Sequence, residues 1–273
     1  MTKGAAIRLK SYEETIPRFL EILGLSKELK KYDKVVLKLS LNKYHDKELT
    51  EEKVSPKFIE EVVKFCVNNK NPITEIFIVE GADGKDTIKL FEELGITKIA
   101  EKYNVSLIDL NESETENVFS PKFSKFQEIA YPKILKDSFV ITLPKLTENS
   151  EIDMSGAISS MIGAYPAKVY KGWFSKEKKK IRKWPIKFAI HDIIQCKMPD
   201  FAIVDASEKG VLIAGMPLEV DKQAARILGF NWEEIDYLKL IFKTIELEKE
   251  MERSRERAKL TDLKLDRMAQ SSN

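Results

Sequence analysis

Cysteine and histidine are the scarcest chemistry-bearing residues of this 273-residue chain, which has two of each. Cys66 and Cys196 cannot build a disulfide framework. Neither lies in a Cys-x-x-Cys pair, so neither a zinc site nor an iron–sulfur cluster is expected. Each cysteine sits in an apolar run of helical period, where it behaves as a small hydrophobe rather than a reactive thiol. His45 falls in a polar stretch and His191 between Ile190 and Asp192; two such distant imidazoles do not make a zinc site, and no metal is expected. No apolar stretch approaches the ~20 residues that cross a bilayer. The opening residues also lack the apolar core of a signal peptide, so a cytoplasmic location and no membrane partner are expected. Excess charge of either sign is missing too, because 46 Lys and Arg nearly cancel 44 Asp and Glu; only local clusters can speak for or against nucleic acid. No Gly-x-Gly-x-x-Gly follows a strand-like run and no Gly-Lys-Ser/Thr closes a glycine loop, which removes the usual dinucleotide and P-loop signatures.

What is present is enough apolar material, 43% of residues, for a large core, and a Lys- and Glu-rich charged third that resembles proteins from hot environments. Short Val- and Ile-rich runs at 34–41, 75–79, 105–110, 138–143, 201–205 and 211–214 read as buried strands. Segments of helical period at 11–23, 55–68, 87–94 and 185–196 lie between them, with Pro56 placed for a first helical turn. Alternation of this kind requires crossover connections and predicts an α/β fold, doubly wound, with a mainly parallel sheet covered by helices on both faces. Residues 1–242 read as one α/β domain, with a subdivision near 140 as the alternative because 111–132 forms a polar, Phe-dotted excursion. From 243 to 273 the chain reads as a charged helix with a frayed tail; Ser254 and Thr261 interrupt the seam of Met251, Ala258 and Leu265, so no coiled coil is expected.

Ligands of open α/β sheets lie beyond the carboxyl ends of the strands. The polar residues expected there are Lys38, Ser40 and Asn42, then Glu80 and Asp83, Asp109 and Asn111, Lys145, and Asp205. Gly81 and Gly84 permit close backbone approach, and Asp83 suits turn and cap duty as well as ligand contact. Small residues fill 154–163, among them Ser155, Gly156, Ser159 and Ser160, on an expected helix that admits either a ligand or tight packing on the sheet.

Pro144, Lys145, Leu146, Gly156, Ala157, Ile158 and Gly163 resemble, without a gap, the signature of the domain of unknown function 362 family, in which Pro-Lys-Leu-Lys-Thr-His is followed by Thr-Gly-Ala-Ile-Lys-Asn and a final Gly. Lys38, Glu80-Gly81, Asp109-Leu110-Asn111, Asp192 and Asp205 are similar to further family positions, as are Pro217, Val220, Asp221, Ala224, Ala225 and Gly229 to its closing helix. The chain departs at polar places: Ser40, Thr147, Asn149, Ser159, Ser160 and Met216 stand where the family has Asn, Lys, His, Lys-Asn and Asp. Some members are fused to iron–sulfur modules, but this chain lacks their cysteines. The resemblance implies the scaffold; it names no reaction, and the departures remove the likeliest proton donors and anion clamps.

A second candidate surface lies at 167–188, where Lys168, Lys171, Lys176, Lys178, Lys179, Lys180, Arg182, Lys183 and Lys187 face one acid, Glu177, with Tyr170, Trp173, Phe174 and Trp184 interleaved. Three readings stand open: a solvated loop over packed rings, a lid bringing positive charge over the cleft, or a surface holding nucleic acid or an acidic partner. The sequence therefore leaves an anionic small molecule at the strand ends and a nucleic-acid partner at 168–187 as the two candidate functions.

Overall fold

The computed structural model describes residues 3–41 and 54–271, with side chains described as far as 256; His45 and Asn42 lie outside the described residues. The first strand, β1 (Ala5–Arg8), leads to α1 (Tyr12–Ile22), whose start is set by the Ser11 hydroxyl accepting the Glu14 N–H at 3.2 Å. Then follow α2 (Leu25–Leu29), β2 (Lys34–Leu39), α3 (Pro56–Asn69), β3 (Glu75–Glu80), α4 (Thr87–Glu93), α5 (Ile96–Tyr103) and β4 (Ser106–Asp109). A hairpin of β5 (Thr115–Val118) and β6 (Ile129–Pro132) precedes α6 (Lys133–Lys136) and β7 (Phe139–Leu143). A second hairpin, β8 (Thr147–Asn149) and β9 (Asp153–Ser155), runs into a 3₁₀ turn (Ser159–Ala164), α7 (Ala167–Tyr170), another 3₁₀ turn (Lys179–Arg182) and α8 (Ile186–Cys196). The chain ends with β10 (Phe201–Ala206), β11 (Val211–Gly215), α9 (Pro217–Leu228) and α10 (Asp236–Ser271).

Seven strands form one sheet in the order β1-β11-β10-β7-β2-β3-β4. Five of them, β10 through β4, are parallel, and β11 and β1 complete one edge by antiparallel pairing. All six Val- and Ile-rich runs are strands of this sheet. For β2, β3, β7 and β10 the composition has a simple cause, since both faces of these parallel strands are covered. Along β2, Val35, Leu37 and Leu39 pack into the core with α1, α2 and α3, whereas Val36 faces the core built with α8, α9, α10 and the segment before α7. Strand alternation puts Lys38 on that second face as well. Strand β7 pairs with β2 on one side and β10 on the other, so the sheet is continuous across position 140.

From β2 the chain adds β3 and β4 to one side, then crosses back to lay β7 and β10 on the other. The strand order therefore reverses between β2 and β7, where open α/β sheets leave a crevice at their carboxyl ends.

Two expectations need correction. The small-residue stretch 154–163 is not an α-helix but the end of β9, a turn and a 3₁₀ turn. Side chains hold the backbone at the start of this stretch: Asp221 of α9 accepts the N–H groups of Ala157 and Ile158, and Ser159 Oγ accepts that of Gly156. The charged terminal helix begins at Asp236 rather than past Phe242, because Tyr237, Leu238 and Ile241 give its first turns a core-facing edge. Among the described residues no helix is long and apolar enough to cross a membrane.

Candidate functional site

The carboxyl ends of β2, β3 and β4 meet in a buried polar centre. Lys38, the last but one residue of β2, directs its ammonium to Glu80 Oε2 at 2.9 Å, to its neighbour's carbonyl at Leu39 (2.7 Å) and to the carbonyl of Ser160 (3.0 Å). All three donors of the ammonium are thereby used. Glu80 ends β3, and its other oxygen accepts the N–H of Gly81 at 2.9 Å. Neither side chain reaches solvent. Burial pulls the Lys38 ammonium below the usual lysine range, and the facing carboxylate opposes that pull. Gly163 lies directly over the pair, and a methyl group there would overlap both Glu80 Oε1 and Lys38 Nζ.

The next ammonium in this centre comes from far along the chain. Lys178 was expected on the basic surface; instead its side chain is fully buried, with Nζ donating to the carbonyls of Gly81 (2.6 Å) and Gly163 (3.2 Å). Its backbone N–H is held by Asp83 Oδ1 at 2.6 Å. Burial lowers the Lys178 ammonium to about 8; Glu80, Asp83 and Asp109 oppose the shift and Lys38 adds to it. A charged side chain enters such a place only where carbonyls and carboxylates replace water, and this centre supplies both. Asp83 thus serves the basic segment, while the cap of α4 is Asp86, which accepts the Lys89 N–H at 3.0 Å. Asn111 ties the same region together, donating to Ala82 O (2.9 Å) and Thr87 Oγ1 (3.2 Å) and accepting the Ala167 N–H (3.0 Å). Asp109 accepts the Asn111 N–H at 2.8 Å, and burial raises its carboxyl above the ordinary value.

Ser155, Gly156, Ser159 and Ser160 belong to a neighbouring cluster organised by Asp221 of α9. The Asp221 carboxylate accepts the N–H groups of Ala157 (2.6 Å) and Ile158 (3.1 Å) and the Tyr237 hydroxyl (3.3 Å). Complete burial pushes its carboxyl up to about 7 despite those donors. A side chain at Gly156 would overlap the Asp221 carboxylate, so only glycine fits. Ser160 Oγ donates to Ala157 O at 2.7 Å, closing the turn on itself.

Lys145 and Asp205 form a third group, at the ends of β7 and β10. They pair as a parallel bridge: Leu146 N–H donates to the Asp205 carbonyl (2.8 Å) and Asp205 N–H to the Pro144 carbonyl (2.9 Å). The Asp205 side chain accepts the Tyr12 hydroxyl at 3.0 Å and the Ser207 N–H at 3.1 Å. Burial, with the Asp205 carboxylate nearby, raises the Tyr12 phenol above its ordinary value. The Lys145 side chain is only 11% exposed, and one partner of its ammonium is Glu208 at 2.5 Å, whose own side chain is 60% exposed.

The basic segment divides in two. Tyr170 and Trp184 pack with Phe126 and Tyr165 in a cluster of rings, and Ile181 is buried beside them. Trp173 and Phe174 are 91% and 97% exposed, and Lys171, Lys176, Lys179, Lys180 and Lys183 of the same segment are exposed as well. Arg182 leaves the patch to pair with Glu151 at 3.1 Å and approaches Asp83 at 3.9 Å.

Sequence reasoning missed Tyr12, Glu208 and Tyr237, and placed Lys178 on the wrong side of the surface. No local pattern distinguishes Lys178 from its neighbours in a run of three lysines. It also did not anticipate the network in which Asp192 accepts the N–H groups of Ser124, Lys125 and Phe126 and meets His191, whose other ring nitrogen faces Thr244 at 2.8 Å. Burial works to raise the Asp192 carboxyl, but His191 and these donors hold it below the ordinary value. Both thiols are pushed up to about 12 by burial, in keeping with cysteines that pack rather than react.

Among solved structures, the lactate racemase apoprotein from Thermoanaerobacterium thermosaccharolyticum is similar in fold, with a TM-score of 0.51 at 12% identity. The match takes in 85% of this chain but 57% of the racemase, so the chain spans little more than half of that protein's length. At that identity the likeness concerns the fold alone. No curated protein matches the sequence. The family model described as domain of unknown function (DUF362) matches residues 35–225, which takes in the strand ends, the Gly156 turn, the basic segment and most of α9. The chain belongs to the DUF362 family.

Proposed function

We propose that the protein binds a small organic anion at the carboxyl ends of β7 and β10, with Lys145 as the residue that meets its negative charge. One observation carries this reading: Lys145 is nearly buried at the end of β7, yet a partner of its ammonium is the largely exposed carboxylate of Glu208. A carboxylate that is itself 60% exposed keeps much of its hydration and returns readily to water, so a ligand anion can take its place. The carboxylate or phosphate of a ligand fits the place Glu208 takes. Tyr12 and Asp205, joined at 3.0 Å beside it, offer a donor and an acceptor for a ligand hydroxyl. A hydroxy-carboxylate matches both halves, and lactate is the first such compound to test given the structural neighbour. Lys38 and Glu80 take no direct part, since neither side chain reaches solvent and each is bonded to the other. The family departures at Thr147, Asn149, Ser159 and Ser160 are compatible with binding that has changed or lost its chemistry.

The test is a thermal-shift titration with lactate, other hydroxy-carboxylates and small phosphate esters. Ligand at ~100 times Kd stabilises the native state by about 2.7 kcal/mol, a shift that is readily measured. The Lys145→Ala protein should melt close to the wild type without ligand and lose the shift with it, whereas Glu208→Gln should bind more tightly. An equal shift in wild type and Lys145→Ala would sink the proposal.

A further inference from the structure

Trp173 and Phe174 are the most exposed large apolar side chains in the described structure, and the small-anion reading makes no use of them. They sit at the tip of an ordered turn. The Gly172 N–H donates to the Glu177 carbonyl at 3.0 Å, closing the turn, and Ser175 Oγ accepts the Glu177 N–H at 3.1 Å. The base of the turn is anchored on both sides: Tyr170 in the ring cluster before it, and buried Lys178 and Ile181 after it. Anchoring of this kind presents the two rings on a fixed platform instead of letting them fold back onto the body. Lys171, Lys176, Lys179 and Lys180 flank them in the same exposed stretch; the Lys180 ammonium also donates to the Val169 carbonyl at 2.7 Å, and Lys183 lies 5.1 Å over the ring of packed Trp184.

We infer that this tip binds single-stranded nucleic acid, with unpaired bases stacked on Trp173 and Phe174 and phosphates held by the flanking lysines. Ring faces bind bases without regard to sequence, and lysines track the backbone electrostatically. Duplex fits poorly, because its bases are already stacked on one another. An anionic membrane is the competing occupant, since lysines beside interfacial rings can reach lipid headgroups, and the vesicle arm of the experiment separates the two. A base stacked on either ring leaves the Lys171 and Lys176 ammoniums in water beside the phosphates. Tyr170 and Trp184 take no part, being packed inside, and Lys178 serves as the anchor instead of a contact.

The experiment uses the full chain with short oligo(U) and oligo(dT), followed by tryptophan fluorescence and by a salt titration. Binding should quench fluorescence and weaken with salt at a log–log slope of about 0.7 per phosphate neutralised. Trp173→Ala should weaken binding by about five- to hundred-fold, the range that loss of one base–ring stack produces. Trp173→Phe should keep most of the affinity while losing the quench, and Lys176→Glu with Lys179→Glu and Lys180→Glu should abolish binding. All these side chains are exposed, so the variants should fold, and an unchanged melting temperature confirms it. Lys145→Ala should bind oligonucleotides as the wild type does, which separates this inference from the small-anion reading. Three results would overturn it: no binding; binding that the charge variant loses but the double Trp173→Ala, Phe174→Ala variant keeps, which marks a plain polyanion surface; or binding of phosphatidylserine vesicles but not of oligonucleotides.

Discussion

Lys38 and Glu80 face each other at 2.9 Å across the ends of β2 and β3, with both side chains wholly removed from water. Taking two charges out of water costs several kcal/mol each, recovered only through their mutual contact and the surrounding hydrogen bonds. Removing one partner strands the other. Glu80→Gln or Lys38→Met alone should therefore destabilise the protein by about 3–5 kcal/mol. The double variant Lys38→Met, Glu80→Met should be markedly more stable than the sum of the two losses implies. Urea unfolding of the three variants gives the comparison, and additive losses would show that the pair does not act as a unit.

Lys178 gives a stability that depends on pH, with a definite sign. Its ammonium titrates near 8 in the folded protein, below the ordinary 10.5, so between those values the unfolded chain binds the extra proton. Stability relative to Lys178→Met should rise as pH increases from about 8 toward 10.5, and should be flat below pH 7. Melting temperatures of both proteins across that range supply the difference. A wild-type stability that falls relative to the variant with rising pH would contradict the buried position of the ammonium.

Asp221 works the opposite way. Its carboxyl titrates near 7 when folded against 3.8 ordinarily, so the native state holds a proton that the unfolded chain has lost. The stabilisation is fully present below pH 3.8 and disappears as pH rises through 7. Asp221→Asn loses one of the two backbone contacts at Ala157 and Ile158 and should be less stable than the wild type in acid, with the gap closing toward neutral pH. Chemical denaturation at several pH values measures it; a constant gap would place the titration elsewhere.

The strands were legible because their environment leaves a mark on composition. A parallel strand buried on both faces must be apolar throughout, and the Val- and Ile-rich runs of β2, β3, β7 and β10 show this within a residue or two of their ends. β1 left no such mark: four residues that alternate between half-buried and exposed are too short a signal. The stretch that ends in the 3₁₀ turn at Ser159–Ala164 is expected to be helical from its place after a strand in a β–α alternation, although Gly and Ser are weak helix formers. Asp221, more than sixty residues away, captures the N–H groups of Ala157 and Ile158 and fixes the turn that precedes the 3₁₀ segment.

The sequence by itself determined the parallel α/β scaffold, the strand ends where polar residues gather, and the glycines at 81, 156 and 163 that let those ends close tightly. Only the tertiary structure decided which charges are spent and which are free. Lys178 reaches a carbonyl 97 positions back, while Lys179 and Lys180 beside it stay in water. The reason is physical: an ammonium can leave water only where carbonyls and carboxylates already stand in the right geometry, and strands and loops distant in sequence supply those groups together.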